Sequence, residues 1–304
     1  MQIANFRSGP SRDVAVGHLE GIWRDLGRLI DTHTVGLRRI EIAAGHFSTP
    51  AHEHGGDEEI FFVLDGEGLL WQEGETHAIE RGDCIVHRPR SGAHTLRAGE
   101  GGLDVLVFGQ RVDATLTALP RAGIAWSFPR WVELPGADHP FAREAAAGAP
   151  ECPQPSAQRP EHIVALSDLP TAFEGRSRSP GAAAGARSTG LNHVALAAGE
   201  SGAPPHCHSR EEEIFVVLEG AGAVELYPRG SREPERRQLH SSDVFSRPAG
   251  SGVAHALRAG EDGLTYLAYG TRDPSDMCFY PLSGKVSLRG LGIALSSPQI
   301  EYLP

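Results

Sequence analysis

The feature that most constrains this 304-residue chain is that it is written twice. "GLRRIEIAAG" (Gly36 to Gly45) returns as "GLNHVALAAG" (Gly190 to Gly199). "PAHEHGGDEEIFFVLDGEG" (Pro50 to Gly68) returns as "PPHCHSREEEIFVVLEGAG" (Pro204 to Gly222), and both pairs are 154 residues apart. "RPRSGAHTLRAGEGGLDVLVFGQR" (Arg88 to Arg111) returns as "RPAGSGVAHALRAGEDGLTYLAYGTR" (Arg247 to Arg272), by whose end the offset is 161. Most of the added length falls in "LYPRGSREPERRQ", a hairpin tip, where insertion costs little. A unit this long is a domain rather than a solenoid repeat. The expected division is a first domain at 1–145, a linker at 146–160 and a second domain at 161–304. The join lies in "AREAAAGAPECPQPSAQRP" (Ala142 to Pro160), rich in Ala, Pro and Gly. The tails "WVELP" and "IEYLP" extend the correspondence.

Each copy reads as all-β. Apolar runs of four to six residues lie between Gly, Pro and Asp turns, at the spacing of a sandwich or barrel. The 37 glycines and 22 prolines suit that class. "LEGIWRDLGRLID" has some helical spacing, but its counterpart "FEGRSRSPGAAAG" reads as non-helical, so strand and loop are expected in both. A formal charge of -11 disfavours phosphate backbones and anionic lipid, so neither nucleic acid nor membrane is expected as a partner. There is no run of 18 apolar residues and no signal-peptide core at the start. Cys84, Cys152, Cys207 and Cys278 show no metal-knuckle or redox-pair spacing, and reduced thiols in a cytoplasmic protein are expected.

The chemistry is carried by the repeated H-x-H. In an extended strand, His52 and His54 point the same way, as do His206 and His208, while Glu53 and Cys207 point away. Cys207 is therefore read as a small, half-buried thiol rather than a ligand. Glu58 or Glu59 can supply a carboxylate, and His94 and His255 are the candidate further imidazoles. Neutral imidazoles with one carboxylate suit a divalent transition metal: Mn, Fe, Co, Ni, Cu or Zn. An octahedral ion so held keeps two positions open, as a reactive site requires. A single H-x-H is weak, but its recurrence with Glu and Gly at fixed spacing is not.

These residues resemble the cupin superfamily. "GHFSTPAHEHGGDEEIFFVLDG" and "GESGAPPHCHSREEEIFVVLEG" match the first cupin motif, G-x5-H-x-H-x(3,4)-E-x6-G, with one extra residue before the first histidine. "GDCIVHRPRSGAH" and "SDVFSRPAGSGVAH" match the second motif loosely: Ser242 replaces a glycine, and the final asparagine is missing. The resemblance implies two tandem cupin barrels, that is, double-stranded β-helix or jelly-roll domains. It selects Glu59 and Glu213, six residues before Gly66 and Gly220. Strand parity agrees, since Glu59 shares a face with Phe61 and Val63, the face that would look into the barrel. Glu58 and Glu212 are then expected to face outward, solvated or salt-bridged. The opposite face (Ile60, Phe62, Leu64) is also apolar and needs cover, most simply from the other domain or a partner chain. A fused dimer packed through equivalent faces is one expectation, and a homodimer is another.

The metal set expected is therefore His52, His54, Glu59 and His94 in the first copy, and His206, His208, Glu213 and His255 in the second. One divalent metal per domain is expected (Mn, Fe, Ni or Zn). Arg88 and Arg247 are read as equivalent, either salt-bridged at strand ends or holding a substrate carboxylate. Asp83 and Asp243 are expected to shape a turn, and Arg38 and Asn192 to make the two pockets differ. His46, His77, His87, His193 and His240 take structural roles by default. The resemblance implies a metal-dependent enzyme of the dioxygenase or decarboxylase class acting on a small organic acid or enol. A non-catalytic small-molecule binder and a sugar isomerase-type cupin are the alternatives, since the fold hosts many chemistries.

Overall fold

The structure, a computed structural model, describes residues 1–112, 115–127, 130–133 and 139–296. The tail similarity of "WVELP" and "IEYLP" therefore lies largely outside the described residues. Each copy is a jelly roll made of one large and one small antiparallel sheet. In the first copy the large sheet is built on Glu59–Gln72 and His94–Gln110, flanked by Asp83–His87 and by Val35–Ile42. The small sheet joins Glu53–His54 to Leu116–Leu119, Ile124–Ser127 and Arg130–Glu133. The second copy repeats this with Glu213–Tyr227, Ala254–Thr271, Asp243–Arg247 and Thr189–Leu196 in its large sheet. Its small sheet is Cys207–His208, Met277–Tyr280, Lys285–Leu288 and Ile293–Ser296.

The long strands bend where the sequence supplies glycine. Register shifts fall between Val63 and Asp65 and between Gly66 and Gly68, and again between Val217 and Glu219 and between Gly220 and Gly222. At Gly66 (φ +86°) a Cβ would run into the Gly102 carbonyl, and at Gly220 (φ +79°) into that of Gly263. No other residue fits this kink, which curls the sheet around its interior. The interior of the first copy holds Phe61, Val63, Ile85, Leu96 and Val105; that of the second holds Phe215, Val217, Phe245, Leu257 and Tyr266.

The other face of each long strand meets the other copy. Ile60, Phe62, Val86, Leu106 and Phe108 share one core cluster with Ile214, Val216, Val244, Leu267 and Tyr269. The packing is face to face through equivalent residues, as a fused dimer requires. Glu58 and Glu212 do face outward from their own domains, but they are not solvated. Each is about 98–99 % buried in this interface (relative exposure 1% and 2%). Glu58 accepts hydrogen bonds from the backbone N–H groups of Arg187 (2.9 Å) and Thr189 (3.0 Å) and from the Thr189 hydroxyl. Glu212 accepts from the backbone N–H groups of His33 (3.0 Å) and Thr34 (2.6 Å) and from the Thr34 hydroxyl (2.8 Å). A carboxylate taken from water is kept by a full set of donors, and here the other copy's backbone provides them.

The copies also exchange edge strands. Ile3–Asn5 pairs with Asp243–Arg247 of the second copy, and Ile163–Ala165 pairs with Asp83–His87 of the first. The intervening segment is laid along the first copy: Trp71 Nε1 donates to the Glu151 carbonyl (3.0 Å), and the Ser156 N–H donates to that of Thr76 (2.9 Å). Within "LEGIWRDLGRLID" a strand, Leu19–Asp25, leads into a single helical turn, Leu26–Leu29. Its counterpart corrects the non-helical reading, because Pro180–Ala183 also forms one turn. Proline at the first helical position and alanines after it favour such a turn locally.

Candidate metal centres

Asp83 and Asp243 close the turns expected of them, accepting from the backbone N–H of Glu80 and of His240, each at 2.8 Å. Gly82 in the first turn has φ +90°, and Ser242 takes a comparable φ of +75° in the second. The serine replaces the motif glycine without changing the turn. The N-terminal segment holds it there: the Phe6 N–H donates to its carbonyl (2.8 Å) and Arg7 Nε to its hydroxyl (3.0 Å). These turns start the strands that lie beside the two motif glutamates.

In the first copy, His52, His54, Glu59 and His94 converge. One donor atom from each lies within 4.8 Å of all the others. The Glu59 carboxylate stands 3.1 Å from His94 Nε2, 3.5 Å from His54 Nε2 and 3.6 Å from His52 Nε2. The imidazoles are turned by their other nitrogens. His52 Nδ1–H donates to the Pro50 carbonyl (2.9 Å) and His94 Nδ1–H to that of Gly92 (3.3 Å), while His54 Nδ1 pairs with Asp57 (2.8 Å). A carbonyl can only accept, so Nε2 of His52 and His94 is left with a lone pair, the form a metal binds. Burial lowers the pKa of His94 to about 4. Burial also works against protonation of His54, but Glu59 and Asp57 outweigh it and raise its pKa to about 10. Burial opposes charge on Glu59 too, and the three histidines, His54 foremost, overcome it and hold the carboxyl well below its usual range.

The second copy brings the same residue types together with a different spread. Glu213 lies 3.0 Å from His255 Nε2, 3.7 Å from His208 Nε2 and 4.0 Å from His206 Nε2. His206, Glu213 and His255 group within 4.8 Å, while His208 groups with His206 and Cys278, or with Glu211 and Asp276. His206 Nδ1–H donates to the Pro204 carbonyl (2.8 Å), and His208 Nδ1 pairs with Asp276 (2.7 Å). Burial lowers the pKa of His255 to about 4. Burial pushes the pKa of Glu213 up, but His255 foremost among its histidines brings it far below normal.

Both sets fit a divalent cation. His54 Nε2, Glu213 Oε2 and His255 Nε2 are buried with no hydrogen-bond partner, although each is next to other donors of its cluster. Buried polar atoms without a hydrogen bond are costly unless something satisfies them, and a cation in each cluster would do so. A cavity of about 740 Å³ opens onto the second cluster. Its wall is apolar at Phe215, Leu257 and Tyr266, and polar at Asn192, Tyr280 and Arg289.

Several side residues stand differently from expectation. Arg88 and Arg247 are not equivalent. Strand register sets His87 opposite Glu59 and Arg247 opposite Glu213, so His87 is the counterpart of Arg247. Arg88 is exposed, whereas Arg247 is buried and donates to the Val253 carbonyl (2.9 Å). His87 is stacked on His94 (centroids 3.6 Å apart, planes 2° apart), and both its ring nitrogens are unpaired. Arg38 lies over the Trp23 ring (5.0 Å), while Asn192 lines the cavity and accepts from the Ser179 hydroxyl (2.9 Å). Sequence reasoning missed Asp57, Asp276, Cys278 and Tyr280. Asp57 stands three residues after His54 and was open to detection. Asp276 lies 68 residues from its histidine, brought there by strand pairing alone. All four cysteines are free.

Comparison with known proteins agrees with this architecture. A family profile described as "Cupin domain" matches residues 38–108, and one described as "Cupin" matches residues 187–293. The chain belongs to the cupin superfamily and carries two cupin domains in tandem. Among solved structures it is similar to the oxalate decarboxylase of Lactobacillus farciminis in its formate complex. The TM-score is 0.59 at 16% identity, covering 91% of this chain and 88% of that one. It is also similar to Bacillus subtilis oxalate decarboxylase, in a study of its Mn(II) centres, with TM-score 0.57 and 12% identity over 88% of this chain and 76% of that one. At such identities the likeness is one of fold. A comparison with curated protein sequences returned no match. No described helix is long and apolar enough to cross a membrane.

Proposed function

We propose that the chain is a metal-dependent bicupin enzyme acting on a small organic acid or enol, with decarboxylation as its favoured chemistry. The observation that carries this reading is the cavity of about 740 Å³ that ends on His206, His208, Glu213 and His255. His52, His54, Glu59 and His94 would hold one divalent ion, and the second set another. Such an ion supplies a Lewis acid for a carboxylate or enolate and, if redox-active, an electron partner. The protein's own residues do the rest. Phe215, Leu257 and Tyr266 keep water from the reacting group, which strengthens electrostatic contacts there. Arg176, Arg272 and Arg289 put positive charge on the cavity wall; the last two also neutralise the buried Glu211. Similarity in fold to oxalate decarboxylases supports a small diacid as the first substrate class to try. The domain limits 1–145 and 161–304, and a cytoplasmic location with reduced thiols, belong to the same proposal.

The test is elemental analysis followed by carbon dioxide release and oxygen uptake assays on Mn-, Fe- and Ni-loaded protein. Small diacids, β-diketones, catechols and flavonols form the panel. Turnover lost in Glu213→Gln is expected. Bound metal with no turnover across the panel would favour a non-catalytic binder.

A further inference from the structure

The two centres differ in one donor, and the difference is chemical. Opposite His54 the small sheet of the first copy carries Thr117; opposite His208 that of the second carries Cys278. Directly paired residues of an antiparallel ladder share a face, so the Cys278 thiol is turned to the same side as His206 and His208. Its sulfur and one nitrogen of each of these histidines lie within 4.8 Å of one another. Cys278 is 7% exposed and forms part of the cavity wall. Tyr280, two residues on and so on the same face, stacks on His206 (centroids 5.7 Å, planes 29°) and covers that edge of the cluster. Across the cluster, His255 Nε2 and Glu213 Oε2 stand 3.0 Å apart, both buried and neither in a well-formed hydrogen bond. A cation held between them would satisfy both, independently of the thiol. Cys207, the other cysteine on this sheet, pairs with Phe279 and faces the opposite way.

We propose that the second centre takes its divalent cation with the Cys278 thiolate as an additional donor, which makes it a softer site than the first. This rests on the metal-binding reading above. In binding, the S–H bond breaks, an S–metal bond forms, and the proton passes to solvent; no electrons are transferred. A coordinated thiol is deprotonated outright. Thiolate favours iron, cobalt, copper or zinc over manganese, whereas an imidazole and carboxylate set accepts manganese readily. The chain would then load its two sites with different preferences although the motif residues are the same.

Cobalt(II) titrated into the metal-stripped full-length protein tests this. The expected result is a thiolate-to-cobalt charge-transfer band in the near ultraviolet that saturates at one equivalent per chain. The band should persist in Cys207→Ser and in His52→Ala/His54→Ala, which empties the first centre. It should vanish in Cys278→Ser while that variant still binds cobalt. Cobalt bound without the band, or a band surviving in Cys278→Ser, overturns the proposal and leaves the metal-binding reading intact. Failure of cobalt to bind at all, with no metal found by elemental analysis, overturns both.

Discussion

Adjacent carboxylates at Glu58 and Glu59 point to opposite faces of one strand, and that parity assigns their work. Glu59 meets three imidazoles inside its own domain, and Glu58 meets backbone N–H groups of the other copy. Removing Glu58 leaves those donors buried without an acceptor, so Glu58→Ala should cost about 3 kcal/mol, read as a fall in the urea midpoint. Removing Glu59 should cost metal rather than stability. Asp276 has a third role: it holds His208 by Nδ1 and leaves Nε2 for the cluster. Partners of this kind tune affinity by roughly 10–100-fold. Asp276→Asn should therefore weaken metal binding at the second centre by about that factor in a chelator competition, with the first centre unchanged. The proposed choice of glutamate follows from the spacing of the cupin-like motif. The partner of His208 does not, because no local motif connects two residues joined only by strand pairing.

At the scale of elements, the exchanged strands show where local reading stops. Ile3–Asn5 lies at the edge of the second copy's sheet, and Phe6, 1% exposed, enters the core shared by both copies. The segment "QIANF" carries no sign of which sheet it joins. Deleting a buried phenylalanine side chain costs about 3–5 kcal/mol where the site cannot collapse. Phe6→Ala should lower the thermal midpoint accordingly, with metal content retained. A midpoint unchanged from the parent would show that the N-terminal segment is not part of the cooperative unit. The bends at Gly66 and Gly220 belong to the opposite category. Their glycines were visible in the repeat, and the structure adds the reason, a carbonyl where a Cβ would stand.

On the scale of the whole molecule, the shared core makes each half incomplete. Residues 161–304 expressed alone would expose Ile214, Val216, Leu267 and Tyr269, so that fragment should self-associate in light scattering. Adding residues 1–160 should convert it to a one-to-one complex. Acid should also destabilise the intact protein. His18, His162 and His193 have pKa values lowered chiefly by burial. Below about pH 6.5 the unfolded chain takes up protons that the folded chain resists. The stabilisation is thus complete above that pH and declines as pH falls below it, measurable as a falling urea midpoint.

The sequence by itself determined the duplication and the β class, which are written in periodicity and spacing and survive without coordinates. Its resemblance to the cupin motifs points to the eight residues proposed as ligands, Glu59 and Glu213 among them. Only the tertiary structure decided that Glu58 and Glu212 are buried against the opposite copy and that the terminal strands are exchanged. It also placed Asp276 and Cys278 at the second centre. Those facts depend on which strand lies beside which, and hydrogen bonding between distant segments leaves no periodic trace in the chain.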